Sequence, residues 1–205
     1  ERLEDFVGQR DLVGDGGMLR SLIEADQTPS MIFWGPPGTG KTTLARIIAF
    51  LTKSRFVQLS AVTSGIAELR KAVAEAEERL GIDNMRTIVF VDEIHRWNKA
   101  QQDALLPHVE DGTVTLIGAT TENPSFSVNA ALLSRCRVFL LEMLTPEDIG
   151  IVLRRALADG ERGIAALGAT FTDEALAYLA AIANGDARTA LSMLEITAKS
   201  AKRMA

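Results

Sequence analysis

Five short apolar runs punctuate the chain: Met31–Trp34, Phe56–Val62, Thr87–Val91, Thr113–Ala119 and Arg137–Leu141. Each is rich in β-branched or aromatic residues and nearly continuous in apolar character. That suits strands of a parallel sheet covered on both faces. Helical patterns separate them. Ile66, Leu69, Val73, Ala76 and Leu80 recur at spacings of three and four, with Glu68, Lys71, Glu75 and Arg79 placed to face water. Strand alternating with helix predicts βαβ crossovers, hence an α/β layer over roughly residues 1–143.

After Glu142 no strand pattern recurs. Thr145-Pro146-Glu147-Asp148 combines a Thr cap, Pro at the first helical position and a carboxylate three residues on. Thr172-Asp173-Glu174 starts a second helix, which Asn184-Gly185 ends. Asp186 caps a third, with Leu191, Leu194 and Ala198 expected as its buried stripe. Residues 144–205 therefore read as a small all-α domain. A single helix is expected over Asn98–Glu110, kinked at Pro107.

Composition adds boundaries. The chain has 205 residues, enough for one large domain or two small ones, and its composition is ordinary for a globular protein. One cysteine, Cys136, excludes a disulfide framework and fits a reducing compartment. No apolar run reaches the ~18 residues of a membrane span, so no membrane partner is expected. A net charge of −5 argues against a blanket nucleic-acid-binding surface, leaving only local contacts. His95, His108 and Cys136 have no metal-site spacing.

The chemistry begins directly after the first run. Gly35-Pro36-Pro37-Gly38-Thr39-Gly40-Lys41-Thr42-Thr43 contains G-x-x-x-x-G-K-[ST], the phosphate-binding P-loop, between a strand and a helix. Backbone N–H groups that all point inward need the conformational freedom of glycine. The helix beginning at Lys41 aims its positive end at the same phosphates. Lys41 supplies a mobile cation for the β/γ-phosphates and the Thr42 hydroxyl a Mg²⁺ ligand, so ATP and Mg²⁺ are the expected cofactors. The third run ends in Asp92-Glu93. An Asp there holds Mg²⁺, and the following Glu can serve as general base for the attacking water. The fourth run ends in Thr120-Thr121, either of which could orient that water.

In this order, with Ser134-Arg135-Cys136 and Gly185-Asp186-Ala187-Arg188, these motifs resemble the AAA+ ATPases. Asp92 through Asp103 (DEIHRWNKAQQD), Leu106 through Thr113 (LPHVEDGT) and Ile117 through Phe126 (IGATTENPSF) narrow the likeness. They are similar to the replication-associated recombination (RarA/MgsA) ATPases of the clamp-loader-like clade, which include the Werner-helicase-interacting protein. The likeness covers essentially the whole chain; Trp97 stands where most relatives carry Phe.

The resemblance implies an AAA+ core of five parallel strands followed by a helical lid, with ATP·Mg²⁺ between them. By position, Val7-Gly8-Gln9 would line the adenine and Thr121 (or Thr120) would be sensor 1. Arg135 would be a finger reaching the neighbouring subunit's γ-phosphate, and Arg188 would be sensor 2. It further implies DNA-stimulated ATP hydrolysis at stalled or damaged replication forks, by a homo-oligomer built through a C-terminal domain that follows the lid in relatives. DNA junctions or ends, single-stranded-DNA-binding protein and replisome components are the implied partners, and a bacterial relative would be cytoplasmic and nucleoid-associated. A nucleotide-gated scaffold and a clamp-loading or branch-migration motor are the alternatives.

The loop after the second strand is the candidate DNA contact. Thr63, Ser64 and Gly65, with the free N–H groups of the helix start and Arg70 nearby, could accept a phosphate. Motors that unfold proteins carry an aromatic residue in such a loop, and none is present here.

Overall fold

The computed structural model describes residues 2–204, with side chains through residue 200. The chain divides into two compact units. One comprises Glu1–Phe6, Arg10–Gly35 and Lys41–Leu141; the other comprises Val7–Gln9, Pro36–Gly40 and Glu142–Ala205.

The first unit is an α/β layer. Its five strands are β1 (Met31–Trp34), β2 (Arg55–Ser60), β3 (Thr87–Asp92), β4 (Thr115–Thr120) and β5 (Arg137–Leu140). They form one parallel sheet in the order β2-β3-β4-β1-β5. The three central strands are buried along nearly their whole length. The edges expose Arg55 and Gln58 on β2 and Arg137 on β5, polar groups that discourage edge pairing. Alternate residues point to opposite faces. Met31, Phe33, Ile88 and Phe90 therefore pack with helix α1 (Lys41–Leu51) through Leu44, Ile47 and Ile48. Ile32, Val89 and Val91 face helix α2 (Ile66–Asp83) through Leu69, Val73 and Ala76.

Two expectations need correction. The segment expected as one kinked helix is two, Lys99–Asp103 and Leu106–Glu110, with Pro107 in the first turn of the second. A proline without an N–H is tolerated there, so the chain breaks before it rather than bending at it. The second and fourth strands also begin and end away from their predicted bounds. Ala61 and Val62 fall outside β2, and β4 starts at Thr115 and runs through Thr120.

In the second unit, helices α3 (Pro146–Ala158), α4 (Asp173–Ile182) and α5 (Ala187–Met204) enclose a core of Ile149, Leu153, Leu176, Leu179, Ala190 and Leu194. Thr145 and Asp148 form the expected capping box, and Thr172 accepts from the Ala175 N–H at 3.2 Å. On α5 the buried stripe is Ala190, Leu194 and Ala198, whereas Leu191 is 37% exposed. The small alanine occupies the facing position, one residue earlier than the bulkier leucine expected from hydrophobicity.

Candidate nucleotide site

β1 keeps its sheet bonds to its last residues: Leu141 donates to the Trp34 carbonyl at 2.7 Å and Gly35 to the Thr120 carbonyl at 3.1 Å. A Cβ on Gly35 would run into the Leu141 carbonyl, so only glycine lets the chain turn here. Gly38 and Gly40 then adopt φ +69° and +95°, the region that L side chains avoid. Thr39 is buried and its hydroxyl donates to the Pro36 carbonyl at 3.0 Å. Lys41 opens α1 and is only 8% exposed, its ammonium donating to the Gly35 carbonyl at 2.7 Å. Thr42 is half-buried beside it and Thr43 exposed.

This loop fits a triphosphate: glycines at positive φ, a nearly buried ammonium and the start of an eleven-residue helix. Among the described residues no group of three or more His, Cys, Asp or Glu could hold a metal by itself. The oxygen donors Thr42 and Asp92 suit Mg²⁺, which keeps several waters and takes substrate phosphates as ligands.

Sheet order brings the other motif to the same sheet edge as the end of β1. β4 lies between β1 and β3, so the carboxyl ends of three adjacent strands carry Gly35, Thr120 and Asp92. Glu93 follows with φ +57° and ψ +45°, the left-handed region. Its Oε2 lies 3.2 Å from Nε2 of His95, whose side chain is 6% exposed. The same nitrogen is 3.6 Å from Oε1 of Glu122, and His95 Nδ1 is 3.0 Å from the Thr120 hydroxyl. Thr120 is wholly buried and Thr121 exposed. The two threonines thus differ in kind: one hydroxyl is committed to the interior and the other is available to solvent. His95 and Glu122 were missed by the sequence reading, which weighed His95 only as a metal ligand. Its position two residues after the acidic pair was the available signal.

In the second unit, Gly8 and Gln9 have φ +77° and +52°. The Gln9 amide donates to the Glu142 carbonyl at 2.7 Å and accepts from its N–H at 2.9 Å, as another peptide group would. Gln9 is thereby a brace for the segment entering α3, with Val7 half-buried beside it. Asp186 accepts from the N–H groups of Arg188 and Thr189 at 2.8 and 3.1 Å, and Ala187 donates to the Gly38 carbonyl at 3.2 Å. Arg188 is exposed in the first turn of α5, where a cation opposes the helix dipole.

Arg135 is exposed and held by its own unit. Its Nε pairs with Glu110 at 2.5 Å and its Nη1 donates to the Ala131 carbonyl at 2.7 Å. The loop proposed for DNA requires a correction. Its helix start is not free: the Gly65 N–H donates to Glu68 Oε2 at 2.8 Å, and the Ser64 hydroxyl accepts from the Ser60 N–H at 3.2 Å. Hydrogen bonds from its own N–H and from Gly65 hold the Glu68 carboxyl below its usual range. A charged carboxylate thus already occupies the place offered to a phosphate. Thr63 and Arg70 remain exposed.

The strand order, the P-loop and the acidic strand end together define a P-loop ATPase fold. The chain matches the ATPase family associated with various cellular activities (AAA) over residues 31–142, and it belongs to that family. It is 52% identical over 202 residues to replication-associated recombination protein A of Escherichia coli K12, across 98% of this chain and 45% of that protein. It is 44% identical to ATPase WRNIP1 of Dictyostelium discoideum, across 98% of this chain and 23% of that protein. Among solved structures it resembles the Thermotoga maritima RuvB Holliday junction branch migration motor, with TM-score 0.74 and 27% identity over 95% of this chain and 63% of that one. The chain spans less than half the length of these two sequence relatives.

Proposed function

We propose that this chain binds ATP with Mg²⁺, hydrolyses it to ADP and phosphate, and couples the cycle to DNA at stalled or damaged replication forks. The observation that carries the ATPase reading is the adjacency of Gly35, Thr120 and Asp92 at three neighbouring strand ends. In open α/β sheets ligands bind outside the carboxyl ends of the strands. The DNA role rests on likeness to proteins named for replication-associated recombination.

Each residue then has a role. Backbone N–H groups of residues 38–42 and the Lys41 ammonium bind the β- and γ-phosphates, with Thr43 alongside. Thr42 and Asp92 hold Mg²⁺, which when bound neutralises charge on those phosphates. Glu93 orients the attacking water and takes its proton, and Thr121 hydrogen-bonds near the γ-phosphate. Val7, Gly8 and Gln9 flank the base. Arg188 reads the nucleotide from its own chain, and Arg135 completes a neighbour's site in a homo-oligomer. Thr63 and Arg70 remain the side chains offered to DNA. The likeness to RuvB favours a second reading, a motor acting on branched DNA.

The test is steady-state ATP hydrolysis over a range of protein concentrations, with and without duplex ends carrying single-stranded tails. Turnover that DNA stimulates and that rises faster than linearly with protein supports the reading. Slow turnover indifferent to DNA and concentration counts against both the DNA coupling and the shared site. Failure to bind ATP would reject the site itself.

A further inference from the structure

The roles above leave His95 without a function, yet its two nitrogens join the hydrolytic carboxylate to the sheet. On one side, Nε2 faces Glu93 Oε2 at 3.2 Å and Glu122 Oε1 at 3.6 Å. A carboxylate only accepts, so the donor in these contacts is Nε2–H. On the other side, Nδ1 meets the Thr120 hydroxyl at 3.0 Å. That hydroxyl already accepts from the Glu122 N–H at 3.0 Å, and its own proton has two acceptors, Nδ1 and the Glu122 carbonyl at 3.2 Å. In a neutral ring Nδ1 accepts a hydrogen bond from the Thr120 O–H. A charged ring gives Nδ1–H to Thr120, whose hydroxyl then turns to the Glu122 carbonyl. Both arrangements leave a proton on Nε2, the nitrogen that faces Glu93.

We propose that His95 is a positioning residue: Nε2–H fixes Oε2 of Glu93 and leaves Oε1 to accept the proton of the attacking water. This rests on the reading of Glu93 as general base. The backbone adds a second restraint. Glu93 sits at φ +57°, ψ +45°, a conformation that disfavours a non-glycine residue and persists where its surroundings over-determine it. A carboxylate fixed at its backbone and at one oxygen is pre-oriented, and misplacement by an ångström can cost about a hundredfold in rate. Because Thr120 ends β4, the strand between the two nucleotide motifs, the orientation of Glu93 is tied to that strand.

The chain has two histidines, so long-range ¹H–¹⁵N correlation of the imidazoles in the nucleotide-free protein reads the proton on His95 directly. A proton on Nε2, in a neutral or a charged ring, is expected. A neutral ring protonated only at Nδ1 overturns the proposal. His95→Leu keeps the bulk and loses the donor, whereas His95→Gln keeps a donor of similar reach. His95→Leu should lower kcat roughly ten- to hundredfold with KM unchanged, and His95→Gln should recover much of the loss. Both should bind a non-hydrolysable ATP analogue with unchanged affinity. Equal rates in the two variants, whether both lowered or both intact, would reduce His95 to packing. Glu93→Gln separates the two readings. If it is inactive while His95→Leu is not, only the positioning role fails; if it hydrolyses ATP normally, the general-base reading fails first.

Discussion

Trp97 gives its indole N–H to the Ser64 carbonyl at 3.2 Å, joining the turn after β3 to the loop after β2. The ring is 3% exposed and packs among Leu69, Leu105 and Leu132. It is a core residue, with no face offered to a base. Trp97→Phe keeps most of the packing and strands the Ser64 carbonyl, an expected loss of about 1–3 kcal/mol. Trp97→Ala should cost about 3–5 kcal/mol. Urea unfolding of the two variants measures both. Equal stability of Trp97→Phe and the parent would show that the indole N–H contributes nothing.

Gly38 is pinned by two independent features. Its φ of +69° disfavours a side chain, and a Cβ there would overlap the Asp186 carboxylate, which caps α5. The conformational cost of alanine alone is roughly 1–2 kcal/mol, and the overlap must also push the loop from Asp186. Gly38→Ala should therefore lower the melting temperature and weaken ATP-analogue binding more than tenfold. Asp186→Ala alone removes the cap and should cost about 0.5–2 kcal/mol of stability; added to Gly38→Ala it also removes the carboxylate that the new Cβ meets. Calorimetric titration and thermal unfolding of the two single variants and the double variant separate the backbone cost from the overlap.

Burial pushes the Cys136 thiol up to about 12. The folded thiol thus stays protonated where the unfolded chain, with an ordinary thiol near 9.0, ionises. Stability linked to this group is fully present below pH 9 and declines as pH rises towards 12. At pH 8 the native protein should react with a maleimide far more slowly than the urea-unfolded chain, since the thiolate is the reactive form. Cys136→Ala should lose the alkaline part of the decline. Rapid labelling of the native state would show that the thiol is neither buried nor suppressed.

What the sequence reveals of this fold follows from how local each signal is. The P-loop, the acidic end of β3 and the caps at Thr145, Thr172 and Asp186 are written in consecutive residues, and the structure places each at the expected element boundary. Hydrophobic runs located all five strands, but their ends depend on pairing. β3 runs to Asp92 because its partner Ser60 still pairs there. The misread stripe on α5 has a similar cause: Ala190 is buried by what faces it, and no hydrophobicity scale ranks it above Leu191. The His95 contacts were illegible because Thr120 lies 25 residues away and arrives only through sheet order. The engagement of Gly65 by Glu68 was local, a glutamate three residues into a helix. It was overlooked because glycine at the cap position carries no side chain to suggest a capping box.

Arg135 is tethered to its own subunit by Glu110 at 2.5 Å and by the Ala131 carbonyl. Both members of the ion pair are exposed, so the tether is worth about 1 kcal/mol or less. A γ-phosphate presented by a neighbour would displace it readily. Arg135→Ala should then lower turnover roughly 10³-fold in the assembled protein while leaving stability within about 1 kcal/mol. Mixing provides the decisive measurement. An Arg135→Ala subunit keeps its own Glu93, and a Glu93→Gln subunit keeps its Arg135, so a head-to-tail contact between them rebuilds one complete site. An equal mixture of the two inactive variants should recover about one quarter of the sites if the subunits assort at random. Recovery at that level places the finger in trans. If the parent is active and the mixture stays inactive, Arg135 acts within its own subunit, and Glu110 is its permanent partner there.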